Sequence, residues 1–428
     1  MKVLYDISVL GKGHLSSTSR TGVFRVTENL AYGLSQSDAC DLTFCVSHTV
    51  NDLFASLEYL KVNPLLSDVR LSSPELWRIR QLFWNFQNWT SWQIDTVYGM
   101  QKSLLRLLRK TLYLINKELE TSQVIDSKSI SNAEIYHSPF EPIPEQIQKA
   151  QHLKKFLSVM DLIPILFPDY FKSHEGTAVE KAINSLDPDS WVLCISQATK
   201  DDLCNYAKNL DPSKVLVTHL AASDLFYLCS DRQQIAQTRT KYGIPDAPYI
   251  LSLSTLEPRK NINHLIRCFT QLVQQEKLQD LYLVLVGTKG WNYDQIFAEI
   301  SNHSTLKDRI IVTGYVADED LATLYSGAMV FVYPSLYEGF GLPPLEAMQC
   351  GVPVITSNTS SLPEVVGDAG IMLDPKDQDG LCHSLLQVYT DTDLRQTLSR
   401  QSLQQAKKFS WERCTQETIA AYQQALST

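Results

Sequence analysis

Two carboxylates, Glu338 and Glu346, are separated by seven residues that include Gly339, Gly341 and the pair Pro343-Pro344. Glycines let a backbone approach a ligand closely. Prolines suit the first turn of a helix, so a helix is expected to run through Leu345-Glu-Ala-Met348. Free N–H groups at such a helix start favour negative charge, which suits a phosphate. The carboxylates themselves repel a phosphate, so their natural partners are hydroxyls. The stretch is therefore suited to a ligand that carries both phosphate and polyhydroxyl groups. A second stretch, Ser254-Thr-Leu-Glu-Pro-Arg-Lys-Asn261, sets two adjacent cations, Arg259 and Lys260, just before a helix expected from Ile262. Cations at that place are built for a pyrophosphate.

Both stretches need strands to position them. Met329-Val-Phe-Val-Tyr333 and Tyr249-Ile-Leu-Ser-Leu253 are short, apolar and β-rich, and read as buried strands directly upstream of each loop. Similar runs at Leu281–Val286, Arg309–Val312 and Val352–Ile355 alternate with helical patterns. That alternation predicts an α/β fold with parallel sheets and ligand loops at the C-terminal sheet edge. In the first half, strands are expected at Val3-Leu-Tyr5, Glu134–Pro139, Phe156–Asp161, Trp191–Ile195 and Val215-Leu-Val217. Asp6 to Arg20 reads as a polar loop, followed by a helix from Gly22 with Val23, Val26, Leu30 and Leu34 at helical spacing. Gly11-Lys-Gly13 lacks the third glycine of a dinucleotide fingerprint, and Asp187-Pro-Asp189 sits among turn residues rather than in a metal site.

The run Tyr337-Glu-Gly-Phe-Gly-Leu-Pro-Pro-Leu-Glu-Ala-Met348 closely resembles the E-x7-E signature of family-four retaining glycosyltransferases of the GT-B type, including mannosyltransferase-like members. Glu-Pro-Arg-Lys-Asn261 resembles that family's diphosphate-binding segment, with Ser254-Thr255 where many members have Gly-Arg. The resemblance implies two Rossmann-like domains facing each other across a cleft, with a closing helix after Trp411 that returns to the first. It implies Arg259 and Lys260 on the diphosphate and Glu346 on the ribose. Glu338 with the N–H groups of Phe340, Gly341 and Leu342 would hold the transferred sugar, and the base would lie near Val316. Arg20 and Gly22 match the family's first loop, which faces the donor phosphates and the acceptor. A family strand that usually ends His-Asp-Leu has Met160 at the histidine position here, leaving Asp161, backbone groups, or His137 one loop earlier, for the sugar side. Val286-Gly-Thr-Lys-Gly-Trp-Asn-Tyr293 resembles mannosyltransferase-like members and leans the donor toward GDP-mannose over UDP-sugars. The implied reaction needs a nucleotide-sugar donor, a glycan or lipid-linked acceptor, no cofactor and no metal. A GT-B-like sugar-nucleotide epimerase or hydrolase, or a catalytically silent partner in a glycan-assembly complex, is the alternative.

At 428 residues the chain fits about two domains: 1–222 for the acceptor, 223–410 for the nucleotide-sugar, and 411–428 as the returning helix. A net charge of −9 argues against general nucleic-acid binding. Nine scattered cysteines without a C-x2-C pair suit free thiols in a reducing cytoplasm. No signal peptide or membrane span is evident, so a cytoplasmic protein able to sit on the inner face of the membrane is expected. Residues 51–130 stand outside the resemblance as a helical insert with Trp77, Trp84, Trp89 and Trp92. Its segment 101–117 carries Lys102, Arg106, Arg109, Lys110 and Lys117 and no acidic residue. Such a helix can lie on an anionic membrane surface, or pack its leucines on the first sheet and leave its cations solvated.

Overall fold

The computed structural model describes the chain apart from residues 16–21, 73–81, 83–84, 87–88, 91–92, 95, 98, 120–124, 171–176, 289, 291–292 and 304, and apart from the side chains at 50, 113, 115–119 and 170. Two wholly parallel sheets organise it. The first contains β1 (Lys2–Asp6), β2 (Asp41–Cys45), β3 (Arg70–Leu71), β4 (Ile135–Ser138), β5 (Lys154–Val159), β6 (Trp191–Cys194) and β7 (Val215–Val217), in the order 3-2-1-4-5-6-7. The second contains β8 (Tyr249–Leu253), β9 (Tyr282–Val286), β10 (Ile310–Gly314), β11 (Val330–Tyr333), β12 (Val354–Ser357) and β13 (Ile371–Leu373), in the order 10-9-8-11-12-13. Each sheet is apolar on both faces, as parallel sheets covered by helices must be. Along β11 the side chains alternate, Val330 and Val332 entering one core and Phe331 and Tyr333 the other.

The helix Trp411–Leu426 leaves the second domain and packs on Gly22–Ser35, burying Ala421, Tyr422 and Ala425 in the core of the first sheet. Its seat explains why His137 is not a cleft residue. His137 lies within β4, fully buried, with Nδ1 2.6 Å from the Tyr422 hydroxyl and Nε2 2.8 Å from Ser158 Oγ. Burial pushes its pKa down to about 3, so the ring is a neutral bridge between sheet and closing helix. The sugar-side role expected of His137 is corrected accordingly.

The expected loop from Asp6 to Arg20 is also corrected, because Ser8–Leu15 is a helix. Asp6 Oδ1 starts it by accepting from the Ser8 N–H at 2.8 Å and the Ser8 hydroxyl at 2.6 Å. Gly11 and Gly13, which read as loop signals, serve close packing instead. A Cβ on Gly11 would stand 2.7 Å from the Ser56 nitrogen, and one on Gly13 would stand 2.3 Å from the Phe24 ring. Ser56 belongs to the helix Val50–Val62, whose Leu53, Tyr59 and Leu60 join the first core. The start of the expected insert is therefore part of the first domain's own sheet and core. Trp77, Trp84 and Trp92 lie outside the described residues. The cysteines are all free thiols, most of them buried.

Candidate active site

In the second sheet the strand order reverses between β8 and β11, which are direct neighbours with Val330 opposite Ile250. Loops leaving the C-terminal ends of two such strands lie side by side. This topology joins two stretches of sequence some eighty residues apart. After β8 the chain makes one tight turn at Pro258–Lys260, then Asn261 takes a left-handed conformation at φ 56° before the helix Ile262–Gln275. Asparagine tolerates that conformation better than most residues. Its side-chain amide donates to the Pro334 carbonyl at 3.1 Å and the Pro375 carbonyl at 2.8 Å, pinning the first loop to the loop after β11.

At the junction Lys260 Nζ donates to Glu338 Oε1 at 2.6 Å and to the Tyr333 hydroxyl at 2.7 Å. Arg259 Nη1 stands 3.0 Å from Glu338 Oε2, and Nη2 stands 2.7 Å from Glu257 Oε1. Ser335 donates to Glu338 Oε1 at 2.6 Å. Burial alone would raise the Glu338 carboxyl, but Lys260 and Arg259 outweigh it and hold the pKa at about 2. Burial lowers the Lys260 ammonium against the opposing pull of Glu338, while the two glutamates hold Arg259 firmly charged. Two cations and two carboxylates thus balance in a site where Glu338 is 8% and Lys260 9% exposed.

The glycines between the two carboxylates have separate tasks. Gly341 sits at φ 116°, a backbone conformation that only glycine adopts without strain, and starts the helix Leu342–Gln349. Gly339 is pressed against the first domain. A Cβ there would stand 2.4 Å from the Met160 carbonyl oxygen, and Ser196 Oγ donates to the Gly339 carbonyl at 2.7 Å. The two domains are further tied by Arg25 to Asp318 at 2.9 Å and by Tyr337 to Asp202 at 2.5 Å. Glu364 adds a third tie, accepting from the Gln197 N–H at 2.9 Å and standing 2.6 Å from His219 Nε2.

Between the domains lies a cavity of about 610 Å³. From the first domain it is lined by Gly22, Arg25, Met160 and Asp161, and from the second by Arg259, Lys260, Val316, Glu338, Phe340, Gly341, Leu342 and Glu346. The candidate residues are therefore gathered around one space, except His137 in the core and Arg20, which lies outside the described residues. Asp161 Oδ1 accepts from the Ile163 N–H at 2.9 Å, and burial raises its pKa. Glu346, the far carboxylate, is buried beside Tyr325, whose hydroxyl donates to Oε2 at 3.1 Å. Burial pushes the Glu346 carboxyl up to about 7. The two carboxylates are thus driven apart, one held ionised by its ion pairs to Lys260 and Arg259, the other raised toward neutrality by burial that Tyr325 and Arg25 offset only in part. Sequence reasoning missed Glu257, Tyr333 and Ser335 around Glu338, and Tyr325 and Arg25 near Glu346. Glu257 stands two residues from Arg259 and Ser335 three from Glu338, spacings that could have flagged both.

Two facing Rossmann-like domains with the cleft between them and a helix crossing back define the GT-B class of fold. Two solved structures share it along nearly their whole length. Sucrose-phosphate synthase from Thermosynechococcus elongatus aligns with a TM-score of 0.65 and 17% identity, covering 100% of this chain and 99% of that one. Anabaena Alr3699/HepE, in complex with UDP and glucose, aligns with a TM-score of 0.63 and 17% identity over the same shares. Residues 234–405 match the family described as glycosyl transferases group 1. The O-antigen chain mannosyltransferase B of Escherichia coli is 38% identical over 289 residues, 67% of this chain and 74% of that protein. The chain belongs to the group 1 glycosyltransferases and is a glycosyltransferase.

Proposed function

We propose that this enzyme transfers mannose from GDP-mannose, with retention of configuration, to a growing chain of a surface polysaccharide. The observation that carries the transfer reading is the Arg259–Lys260–Glu338 cluster facing the cavity between the domains. The identity to an O-antigen mannosyltransferase supports the donor sugar and the acceptor class. Arg259 and Lys260 would face the diphosphate, whose charge grows as the glycosidic bond breaks. Fixed cations there stabilise the transition state without reorganising, the task a divalent metal performs elsewhere. Glu338 and the loop N–H groups of Phe340, Gly341 and Leu342 would orient the transferred sugar. Attack from the face the diphosphate leaves, with the departing phosphate taking the acceptor's proton, retains configuration and needs no covalent intermediate. Asp161 and Arg20 would meet the acceptor side, and Gly22 the donor. The test is a thermal-shift screen against GDP, UDP, ADP and their sugars, followed by turnover with and without a mannan-type acceptor. A bound donor raises the melting temperature by mass action. The expected result is a shift confined to GDP species and nucleotide release that depends on acceptor, with an α-linked product by NMR. Donor consumption at an unchanged rate without acceptor would overturn the transfer reading, and a shift with UDP-sugars alone would overturn the donor.

A pH signature follows from Glu346. Its pKa of about 7 comes from burial, and ribose hydroxyls would donate to its ionised form. Donor binding would then release a proton below about pH 7, so affinity rises by roughly tenfold in all as pH increases from about 6 to 8, most of it below pH 7, and levels off above. A nucleotide-sugar, whose diphosphate does not itself titrate in this range, is the ligand to use. Calorimetric dissociation constants across that range should show the slope, and Glu346→Gln should flatten it. An identical slope in the variant would remove Glu346 from the ribose site.

A further inference from the structure

We infer that the helix Met100–Leu119 is a docking surface for an anionic lipid bilayer, on which the enzyme lies without crossing. Leu104, Leu107 and Leu114 are 69%, 63% and 51% exposed, and Met100 is 89% exposed. Their spacing places them along one side of the helix. Leu112 is buried and Leu105 half-buried, about a quarter-turn from Leu104 and nearly opposite Leu114, so the protein covers one edge of an apolar face that spans about half the helix. The helix is thus shaped both to pack on the protein along one edge and to present its remaining apolar surface to a bilayer.

The remaining face carries Arg106, Arg109 and Lys110, all exposed, and no acidic residue occurs from Met100 through Lys117. A local block of cations on a chain of net charge −9 directs this face, rather than the molecule at large, toward an anionic surface. Exposed leucines beside long cationic side chains, which snorkel, match a bilayer's anionic headgroups over its apolar interior. A second copy of this chain would instead set the same cations against one another. Upstream in the same segment, Phe86 and Trp89 are stacked at 5.5 Å and are 43% and 47% exposed, a pairing suited to a membrane interface. Among the described residues no helix is long and apolar enough to cross a membrane, so this one lies in the plane.

The test is flotation of the full chain with vesicles of phosphatidylglycerol and phosphatidylethanolamine against vesicles of phosphatidylcholine. It uses neither donor nor acceptor, so its outcome is separate from the transfer reading. Binding is expected to the anionic vesicles at about 0.1 M salt and to weaken toward about 1 M, where charges are screened beyond a few ångströms. Partitioning should fall roughly tenfold or more for Arg106→Glu/Arg109→Glu and for Leu104→Ser/Leu107→Ser. These positions are exposed, and unchanged melting of each variant would show the fold intact. Equal binding to both vesicle types, or no binding to either, would overturn the inference. So would concentration-dependent dimers in sedimentation that the leucine substitutions dissolve while vesicle binding persists.

Discussion

Glu338→Gln is expected to slow sugar transfer by roughly a hundredfold or more, a loss near 3 kcal/mol in transition-state stabilisation. The wild-type carboxylate takes Lys260 at 2.6 Å on one oxygen and Arg259 at 3.0 Å on the other. It thereby fixes both cations and its own orientation toward the cavity. Glutamine keeps the shape but removes the charge, and its NH₂ group must face a cation or Ser335 unless the side chain turns away. The two cations are then left with Glu257 alone among the three carboxylate oxygens that now contact them. Buried charge stripped of a partner destabilises the fold, by about 3–5 kcal/mol where no compensation exists and by less here because Glu257 remains. The same imbalance favours an incoming diphosphate, which would meet cations no longer neutralised. Donor affinity should therefore hold or tighten while turnover collapses. Calorimetry with the nucleotide-sugar and steady-state turnover on the same preparation check both halves. Nearly wild-type turnover would remove Glu338 from the transfer step.

Much of this site was legible in sequence because each half is local. A strand, a loop and a helix start were readable at Leu253–Ile262 and again at Tyr333–Glu346, since β-rich runs, proline and glycine mark those boundaries chemically. Their meeting was not a local property. It depends on β8 and β11 being neighbours at the reversal of strand order, which the spacing between them does not state. His137 shows the opposite failure. A histidine at a strand end reads as a cleft residue, but the terminal helix folds over that face and Tyr422 claims the ring. Gly11 and Gly13 failed for a related reason, because a glycine that admits a neighbouring helix or ring is written no differently from one that permits a turn. The contrast between Glu338 and Glu346 was likewise invisible, because their protonation is decided by which residues crowd them and not by their own spacing.

Lys260→Met should produce an effect of similar size on turnover and of opposite sign on binding. Methionine fills most of the lysine's volume without its charge, so the cavity wall is kept while the cation is lost. Transfer is expected to fall by about 10²–10³-fold, the range for removing one preorganised electrostatic group. The nucleotide-sugar should bind more weakly, where Glu338→Gln leaves binding intact or improved. This sign difference separates a group that attracts the diphosphate from one that orients the sugar. Stability should respond to pH in a matching way. A carboxyl depressed to about 2 stabilises the fold above its unfolded value near 4.5, and that contribution is lost as pH falls from there toward about 2. Lys260 is the foremost cause of the depression, ahead of Arg259, so removing it lets the Glu338 pKa climb back toward the ordinary range. The variant should be less stable than wild type above about pH 5, and the gap should narrow on acidification as Glu338 protonates. Chemical denaturation at a series of pH values from about 3 to 7 reads that convergence. A gap that stays constant across the range would mean the Lys260–Glu338 contact is not the source of the lost stability, and the paired roles assigned to the two residues would fall with it.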